Sequence, residues 1–175
     1  KGYAGGHEIT VNYAIKYGYK FIWILNNDLK VRKNTLKNLI KSYENNGLGI
    51  YGSITLKSEN PDIINFGGGK TANIFKPFDY NCYENFKLED YPKSPEIRAV
   101  QSIEGSSVLI PIEIIRKYGF MRPDFFMYGE ETDYCYRMKK FGISSYVVSS
   151  SAVIHKGEKS FKDDPKVKYY KRRNG

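Results

Sequence analysis

The stretch FIWILNNDLKV, residues 21–31, combines an apolar run with a polar end. Five consecutive apolar residues run directly into two amides and a carboxylate. A short, continuous apolar segment bounded by polar residues predicts a strand that is buried on both faces, as in a parallel sheet. In open α/β sheets, ligands bind beyond the carboxyl ends of the strands. The sequence therefore places Asn26, Asn27 and Asp28 at an expected binding edge.

Helices and strands are predicted on both sides of this segment. Apolar residues at helical spacing predict a helix over 8–17 that stops at Gly18, and an amphipathic helix over 35–45 that ends near Gly47. The stretch GIYGSITL, which starts at Gly49, is typical of the next strand. This alternation predicts an α/β layer architecture.

The second half of the chain continues the alternation after an irregular stretch. Residues 57–97 have the composition of short strands and a long surface loop. After them the sequence predicts, in order, strands IRAVQSI and SSVLI on either side of Glu104 and Gly105, a helix PIEIIRKYG, a helix over 130–141, a strand SSYVVSSSAVIH and a polar, basic tail. No internal repeat and no second domain are visible, so we expect one domain over 1–175.

Composition limits the class of protein and of partner. No apolar run approaches the roughly 18 residues that a bilayer-spanning helix needs. Two cysteines, Cys82 and Cys135, make no disulfide framework, which favours a reducing cytoplasm. The net charge of +9 favours anionic partners such as nucleotides or an anionic membrane surface, with a solvated lysine-rich surface as the alternative. The basic residues are spread along the chain rather than arranged in a stripe, which argues against nucleic acid.

Asp28 is a candidate ligand for a hard cation. Carboxylate oxygens bind Mg²⁺ and Mn²⁺, which commonly bridge to substrate phosphates. The alternative is that the Asn-Asn-Asp stretch forms a turn or caps a helix, since these residue types also favour turns. His155 directly follows an apolar strand and is a second candidate for binding metal or phosphate, with an ordinary polar histidine as the alternative.

An acidic turn supplies the other candidates. The stretch FFMYGEETDYCYR, residues 125–137, places Glu130, Glu131 and Asp133 within four positions. The helix dipole favours acids at a helix start, which is the structural explanation. Three like charges this close also repel one another, and a bound cation or a role in proton transfer would offset that cost.

The ordered set of motifs resembles the family 2 glycosyltransferases of the GT-A fold, in their rhamnosyltransferase-like branch. Residues 2–31 are similar to that family's glycine-rich turn, helix, strand and metal motif, and residues 105–137 to its acceptor-side strand, helix and Glu-Asp catalytic motif. AVIHKGEKS (152–160) and YYKRRN (169–174) resemble its late histidine segment and the Tyr…Arg-Asn stretch that follows. The resemblance covers residues 2–174 and is weak across roughly 55–97.

The resemblance implies a Rossmann-like mixed sheet flanked by helices, and an inverting transfer of a sugar from a nucleoside diphosphate to a glycan or lipid-linked acceptor. It implies a divalent cofactor, Mg²⁺ or Mn²⁺, and a place in cell-surface polysaccharide synthesis. The implied residues are Asp28 and His155 for the metal, Glu131 as general base with Glu130 beside it, Asn26, Asn27, Gly5 and Gly6 for the donor, and Gly105, Ser106, Asp133 and Arg137 for the sugar and acceptor pocket.

Departures from the family pattern keep alternatives open. Glu131 stands where the family has an aspartate, and His7 and Glu8 stand where two asparagines are common. The family's first β-α-β unit is expected upstream of Lys1, so we expect an N-terminally truncated domain. A catalytically inactive sugar-nucleotide-binding or assembly domain is the main alternative, and a hydrolase with paired carboxylates is another.

The basic tail bears on localisation. Lys168, Lys171, Arg172 and Arg173 interleave with Tyr169 and Tyr170. We expect a cytoplasmic protein whose tail approaches a lipid-linked acceptor at the inner face of the membrane, with a solvated tail as the alternative.

Overall fold

The computed structural model describes residues 2–73, 76–93, 95–156 and 164–174. The helices are α1 (Gly2–Lys16), α2 (Thr35–Asn46), α3 (Ile112–Tyr118), α4 (Glu130–Lys140) and α5 (Pro165–Asn174). The strands are β1 (Phe21–Leu25), β2 (Leu29–Val31), β3 (Gly49–Lys57), β4 (Ile64–Phe66), β5 (Gly69–Asn73), β6 (Lys76–Asn81), β7 (Ile97–Val100), β8 (Ser107–Pro111) and β9 (Ser144–His155). Short 3₁₀ turns lie at Leu88–Asp90 and Pro123–Phe125.

A mixed seven-stranded sheet forms the centre of the molecule. Its main path runs β1-β8-β3-β9-β2, with β4 paired to β3 and β7 paired to β9. β3 and β9 are parallel, whereas β8 pairs antiparallel with both β1 and β3, and β2 and β7 pair antiparallel with β9. Strands β5 and β6 form a separate antiparallel pair. The predicted mixed α/β architecture is confirmed.

Helices cover both faces of this sheet. On one face, α2 packs through Leu39 against a small cluster that contains Tyr51, Leu109 and Val148. On the other face, α1, α3 and α4 bury apolar side chains in the main core, which also contains alternate residues of β1, β3 and β8. Burying these side chains removes apolar surface from water, and this supplies the main stabilisation of the fold.

β1 differs from its prediction. It pairs antiparallel with β8, at one end of the main path, and its burial alternates. Ile22 and Ile24 face the main core, while Phe21 and Trp23 are half-buried against the small cluster under α2. The expectation of a strand buried on both faces in a parallel sheet is therefore wrong. The strand is apolar throughout because both of its faces are covered, one by the main core and the other, less completely, by the small cluster under α2.

α1 ends where the sequence predicts. Gly18 has φ 70° and the amides of Gly18 and Tyr19 donate to the carbonyls of Ile15 and Ala14, which is the Schellman arrangement that ends α1. The start of α1 does not follow the prediction, because helix replaces the expected glycine-rich turn from Gly2 onward.

The polar, basic tail forms a helix, α5, which its sequence did not predict. Of the helices that the structure describes, none combines the length and the apolar composition that crossing a bilayer requires. Residues 157–160 of the AVIHKGEKS stretch lie outside the described residues.

Candidate active site

Three strand ends meet at one edge of the sheet. β1 runs into residues 26–28, β9 ends at His155, and residues 104–106 come directly before β8. Because β8 is antiparallel to β1, its start lies beside the end of β1, and the amide of Asn26 donates to the carbonyl of Ser106 at 3.0 Å. The predicted binding edge therefore collects polar residues from three separate parts of the chain.

His155 joins two carboxylates at this edge. Its Nε2 lies 3.2 Å from Oδ1 of Asp28, and its Nδ1 lies 3.0 Å from Oε1 of Glu104. The hydrogen bond to Glu104 is the main cause that raises the pKa of His155, and the charges of Glu104 and Asp28 add to it while burial opposes them. Asp28 and His155, predicted as a pair from their strand-end positions, do lie together.

Glu104 is the member of this group to which the sequence patterns assign no role. In the sequence it only separates two predicted strands. The available signal was its position, since a carboxylate that directly precedes a strand antiparallel to β1 must lie near the end of β1. The antiparallel pairing, however, was not predicted.

The pair Asp28 and His155 fits a divalent cation. Two ligands at right angles on Mg²⁺, each at about 2.1 Å, stand about 3 Å apart, which is close to the 3.2 Å between Asp28 Oδ1 and His155 Nε2. Glu104 on the other ring nitrogen supplies the outer partner that metal-binding histidines usually have. Within the described ranges no group of three or more His, Cys, Asp or Glu side chains is arranged to hold a metal ion. Such a site would thus depend on water and substrate oxygens for its remaining ligands.

The start of α4 brings two more acids toward Glu104. Glu131 is half-buried, and burial is the main cause that raises its pKa, followed by the charge of Glu130. The charge of Glu104 acts in the same direction, while a hydrogen bond from the Gly105 amide lowers the pKa of Glu131. We call Glu104, Glu130 and Glu131 the acid cluster. Glu104 belongs both to this cluster and to the contact with His155.

Two carboxylates of the acid cluster have a buried oxygen that no other described residue contacts by a hydrogen bond. Glu130 is only 4% exposed, and burial raises its pKa. The Oε2 atoms of Glu130 and Glu104 are buried and have no hydrogen-bond partner among the described residues. Unpartnered buried acceptors are costly in a finished fold, so they favour a donor from a ligand, such as a hydroxyl group, at this position.

Tyr3 closes the acid cluster from the side of α1. Its hydroxyl donates to the carbonyl of Gly105, and a Cβ built on Gly105 would lie 2.9 Å from that hydroxyl oxygen. Burial and the charges of the three glutamates raise the pKa of Tyr3 far above its ordinary value. Tyr3 is therefore a neutral donor, and residue 105 must be small to admit it.

Asp133 and Arg137 lie elsewhere on α4. Arg137 Nε donates to Asp133 Oδ2 at 2.7 Å, and its Nη2 donates to the carbonyl of Phe120 at 3.0 Å. Asp133 is two positions after Glu131, about 200° around the helix, so these two side chains leave α4 in different directions. The repulsion expected among the acids at 130–133 is thus relieved at Asp133 by an ion pair. A role for both residues in an acceptor pocket stays a prediction.

The other predicted residues vary in placement. The Ser106 side chain is 2% exposed and its hydroxyl lies 3.5 Å from that of Thr55, so its prediction as a sugar contact is not supported. Asn26 is half-buried and Asn27 is exposed in the turn between β1 and β2. Gly5 is buried within α1 and Gly6 is exposed on it, which corrects the expected turn and leaves their donor contacts as predictions.

Comparisons with known proteins point in one direction. No protein-family model matches the chain. Its sequence is similar to the low-salt glycan biosynthesis hexosyltransferase Agl10 of Haloferax volcanii, with 23% identity over 145 residues that cover 82% of this chain and 45% of Agl10. The chain thus spans less than half the length of this curated relative.

Two crystal structures show a similar fold. A structure of GalNAc-T7 with UDP, GalNAc and Mn²⁺ superimposes with a TM-score of 0.66 and 16% identity, covering 88% of this chain and 30% of GalNAc-T7. A structure of A197 from STIV gives a TM-score of 0.54 and 15% identity, covering 89% of this chain and 68% of A197. The chain therefore has the GT-A fold of glycosyltransferases, and its sequence is similar to that of a protein named as a hexosyltransferase.

Proposed function

We propose that the protein is an inverting glycosyltransferase, which moves a hexose from a nucleoside diphosphate to a hydroxyl group of a glycan or a lipid-linked acceptor. One observation supports this proposal: Glu104 contacts His155, which faces Asp28, and the charge of Glu104 also acts on Glu131, so residues far apart in the chain gather at one sheet edge. A base for the acceptor and a group for the departing diphosphate must both border the reacting carbon, and this arrangement offers a candidate for each.

Glu131 acts on the acceptor. Its carboxylate takes the proton of the acceptor hydroxyl while that oxygen forms a bond to the anomeric carbon. The bond from the anomeric carbon to the diphosphate oxygen breaks on the opposite face, and the diphosphate leaves with the electron pair. A positioned base of this kind typically contributes about 10² to 10⁴ in rate. The raised pKa of Glu131 favours this role, because a stronger base accepts the proton more readily.

Asp28 and His155 act on the leaving group. These two residues would hold a divalent cation together with the diphosphate, and the cation would supply positive charge against the negative charge that develops on the leaving oxygen. Glu104 fixes the His155 ring through its Nδ1, so that Nε2 faces Asp28. The half-buried Asn26 and the exposed Asn27 border the same turn and are proposed to contact the nucleotide-sugar.

The donor and the setting follow the relatives. Agl10 is named as a hexosyltransferase, and GalNAc-T7 was crystallised with UDP and Mn²⁺. We therefore propose a UDP-hexose as the first donor to test, Mn²⁺ or Mg²⁺ as the cofactor, and a pathway of cell-surface glycan synthesis. A cytoplasmic location at the inner membrane face remains part of this proposal, with the exposed Arg172 of α5 as one basic contact.

A donor panel tests the proposal. Purified protein is incubated with UDP-, dTDP- and GDP-sugars, with Mn²⁺ or with EDTA, and the release of nucleoside diphosphate is measured. We expect release from one donor in Mn²⁺, a large loss in EDTA, and a similar loss in Asp28→Asn but not in the exposed control Asp90→Asn. Binding of UDP and Mn²⁺ without turnover on any donor and acceptor would instead support the inactive binding domain. Release of sugar from simple glycosides without a nucleotide would identify a hydrolase.

A further inference from the structure

The loop that leads into Glu130 has an unusual backbone. Phe126 has φ 65° and ψ −58°, and the amide of Met127 donates to the carbonyl of Phe125 at 2.8 Å. This is the positive-φ form of the γ-turn, which is rare and strained. Tyr128 with φ 64° and Gly129 with φ 89° follow it. Strained conformations of this kind persist only where the surrounding structure fixes them.

The last described residue of α5 supplies much of that fixation. The side-chain amide nitrogen of Asn174 lies 2.9 Å from the carbonyl oxygen of Phe125, 2.8 Å from that of Met127 and 2.7 Å from that of Tyr128. Three carbonyl acceptors around one atom identify it as the nitrogen rather than the oxygen of the carboxamide. Its two N–H groups are shared among the three acceptors, an arrangement that bifurcated hydrogen bonds allow.

Neighbouring groups of α5 close on the same loop. Arg173 Nη2 donates to the carbonyl of Phe125 at 2.8 Å and also to that of Asp124. The Tyr170 ring stacks on Phe126 with centroids 4.9 Å apart. A Cβ built on Gly129 would lie 3.2 Å from the carbonyl oxygen of Asn174, so α5 reaches the residue directly before Glu130.

α1 holds the loop from the other side. The amide of Tyr3 donates to the carbonyl of Phe126 at 2.7 Å, while its hydroxyl donates to Gly105. Gly105 in turn donates its amide to Glu131. The loop therefore lies between α1 and α5, and its end fixes where α4 and the acid cluster begin.

We propose that Asn174 is a positioning residue for Glu131: by holding the carbonyls of residues 125–128, it sets the start of α4 so that Glu131 meets Gly105. The proposal rests on the proposed function in that Glu131 is the base. No catalytic role was predicted for α5. The proposal gives this helix a role in the activation of the acceptor rather than in the departure of the diphosphate. Misplacing a reacting group by about 1 Å can cost about 100-fold in rate.

Matched variants test this assignment. Asn174→Ala removes the donors, and Asn174→Asp keeps the shape but turns a charged oxygen toward three carbonyl oxygens. We expect kcat to fall by about 10- to 100-fold in Asn174→Ala and further in Asn174→Asp, with the affinity for UDP and Mn²⁺ unchanged within about twofold. Lys166→Ala, an exposed change on the same helix, should leave both values at wild-type level.

Hydrogen exchange gives a readout that does not require turnover. The amides of Met127 and Tyr3 donate into the loop, so both should exchange at least about tenfold faster in the Asn174 variants while the amides of β3 and β8 keep their protection. Unchanged exchange at these two amides, or wild-type kcat in both variants, overturns the positioning role. Faster exchange in a protein that shows no transfer even as wild type would support the loop contact and reject the proposed function instead. Loss of protection throughout the sheet would show a general folding role and also overturn the proposal.

Discussion

Oε1 of Glu104 lies 3.0 Å from Nδ1 of His155, although the two residues are 51 positions apart in the chain. The other ring nitrogen of His155 faces Asp28. A carboxylate on the far nitrogen of a metal-binding histidine fixes the orientation of the ring and raises its basicity. The contact therefore links a residue without a predicted role to the predicted metal pair.

Glu104→Ala is expected to weaken the binding of Mn²⁺ with UDP by about 10- to 100-fold, the range found for outer-shell partners of metal ligands. Calorimetric titration of UDP in the presence of Mn²⁺ measures the change. Glu104→Gln keeps an oxygen that can accept from Nδ1 and should lose less. The exposed Glu84→Ala is the matched control. Wild-type affinity in Glu104→Ala would show that the contact does not serve the metal pair.

Glu131→Gln is expected to lower kcat by about 10² to 10⁴-fold, because the amide cannot accept the acceptor proton. Binding of UDP with Mn²⁺ should stay within a few-fold of wild type, since Glu131 lies on the acceptor side of the proposed reaction. Glu131→Asp restores the residue type of the resembled family and should retain part of the activity. Steady-state kinetics with the donor identified in the panel measure these kcat values. Wild-type kcat in Glu131→Gln would show that Glu131 is not the base.

The pH dependence of transfer should reflect the raised pKa of Glu131. A base works only when it is deprotonated, so kcat should rise with pH through a range well above the ordinary glutamate pKa of about 4.3. Salt-matched buffers and the same donor across the series make the profile comparable. A rate already at its plateau near pH 5 would contradict the raised pKa of the base.

The same shift predicts an effect on stability. Between the unfolded and the raised folded pKa of Glu131, the native state binds more protons, so the free energy of unfolding falls as pH rises through that range. Glu131→Gln carries no such penalty and should be more stable than wild type above it, with little difference near pH 4. Thermal melts at several pH values check this. A variant whose advantage does not grow with pH would show that Glu131 is not held protonated by the fold.

Gly2 and Gly6 provide a matched pair on α1. Gly2 has φ 68°, and a Cβ there would lie 2.0 Å from the carbonyl oxygen of Phe126, whereas a Cβ on Gly6 would meet nothing within 4 Å. Gly2→Ala should therefore destabilise the protein by at least about 1 to 2 kcal/mol.

Gly6→Ala should stabilise the protein by about 0.5 to 1 kcal/mol through helix propensity. For a chain of this size, each kcal/mol corresponds to about 2 to 4 °C in Tm. Equal melting temperatures for the two variants would contradict the close approach of α1 to the loop before Glu130.

Much of the secondary structure could be read from the sequence, because its signals are local. The spacing of Leu39 and Tyr43 predicted α2, and Gly18, Gly47 and Gly119 marked helix ends that the structure confirms. The apolar run before His155 predicted β9 with its correct end. Periodicity and glycine conformation depend on residues within a few positions of one another, so the sequence alone carries them.

Strand pairing was decided by tertiary structure. FIWIL predicted a strand, but the sequence could not show that its partner would be the antiparallel β8. That pairing carries Glu104 to the end of β1, where it meets His155. The sequence also grouped Asp133 with Glu130 and Glu131. In the structure Asp133 pairs with Arg137, and the third acid whose charge acts on Glu131 is Glu104.

Local patterns in the sequence were thus enough to locate α2, β3 and β9 and to place Asp28 and His155 at strand ends. The association of Glu104, Tyr3 and Asn174 with these residues arises from the way the chain folds. These contacts join residues 46 to 102 positions apart. Their formation depends on which strands pair, in which register, and on which face each helix packs, and no local pattern of residues encodes those choices.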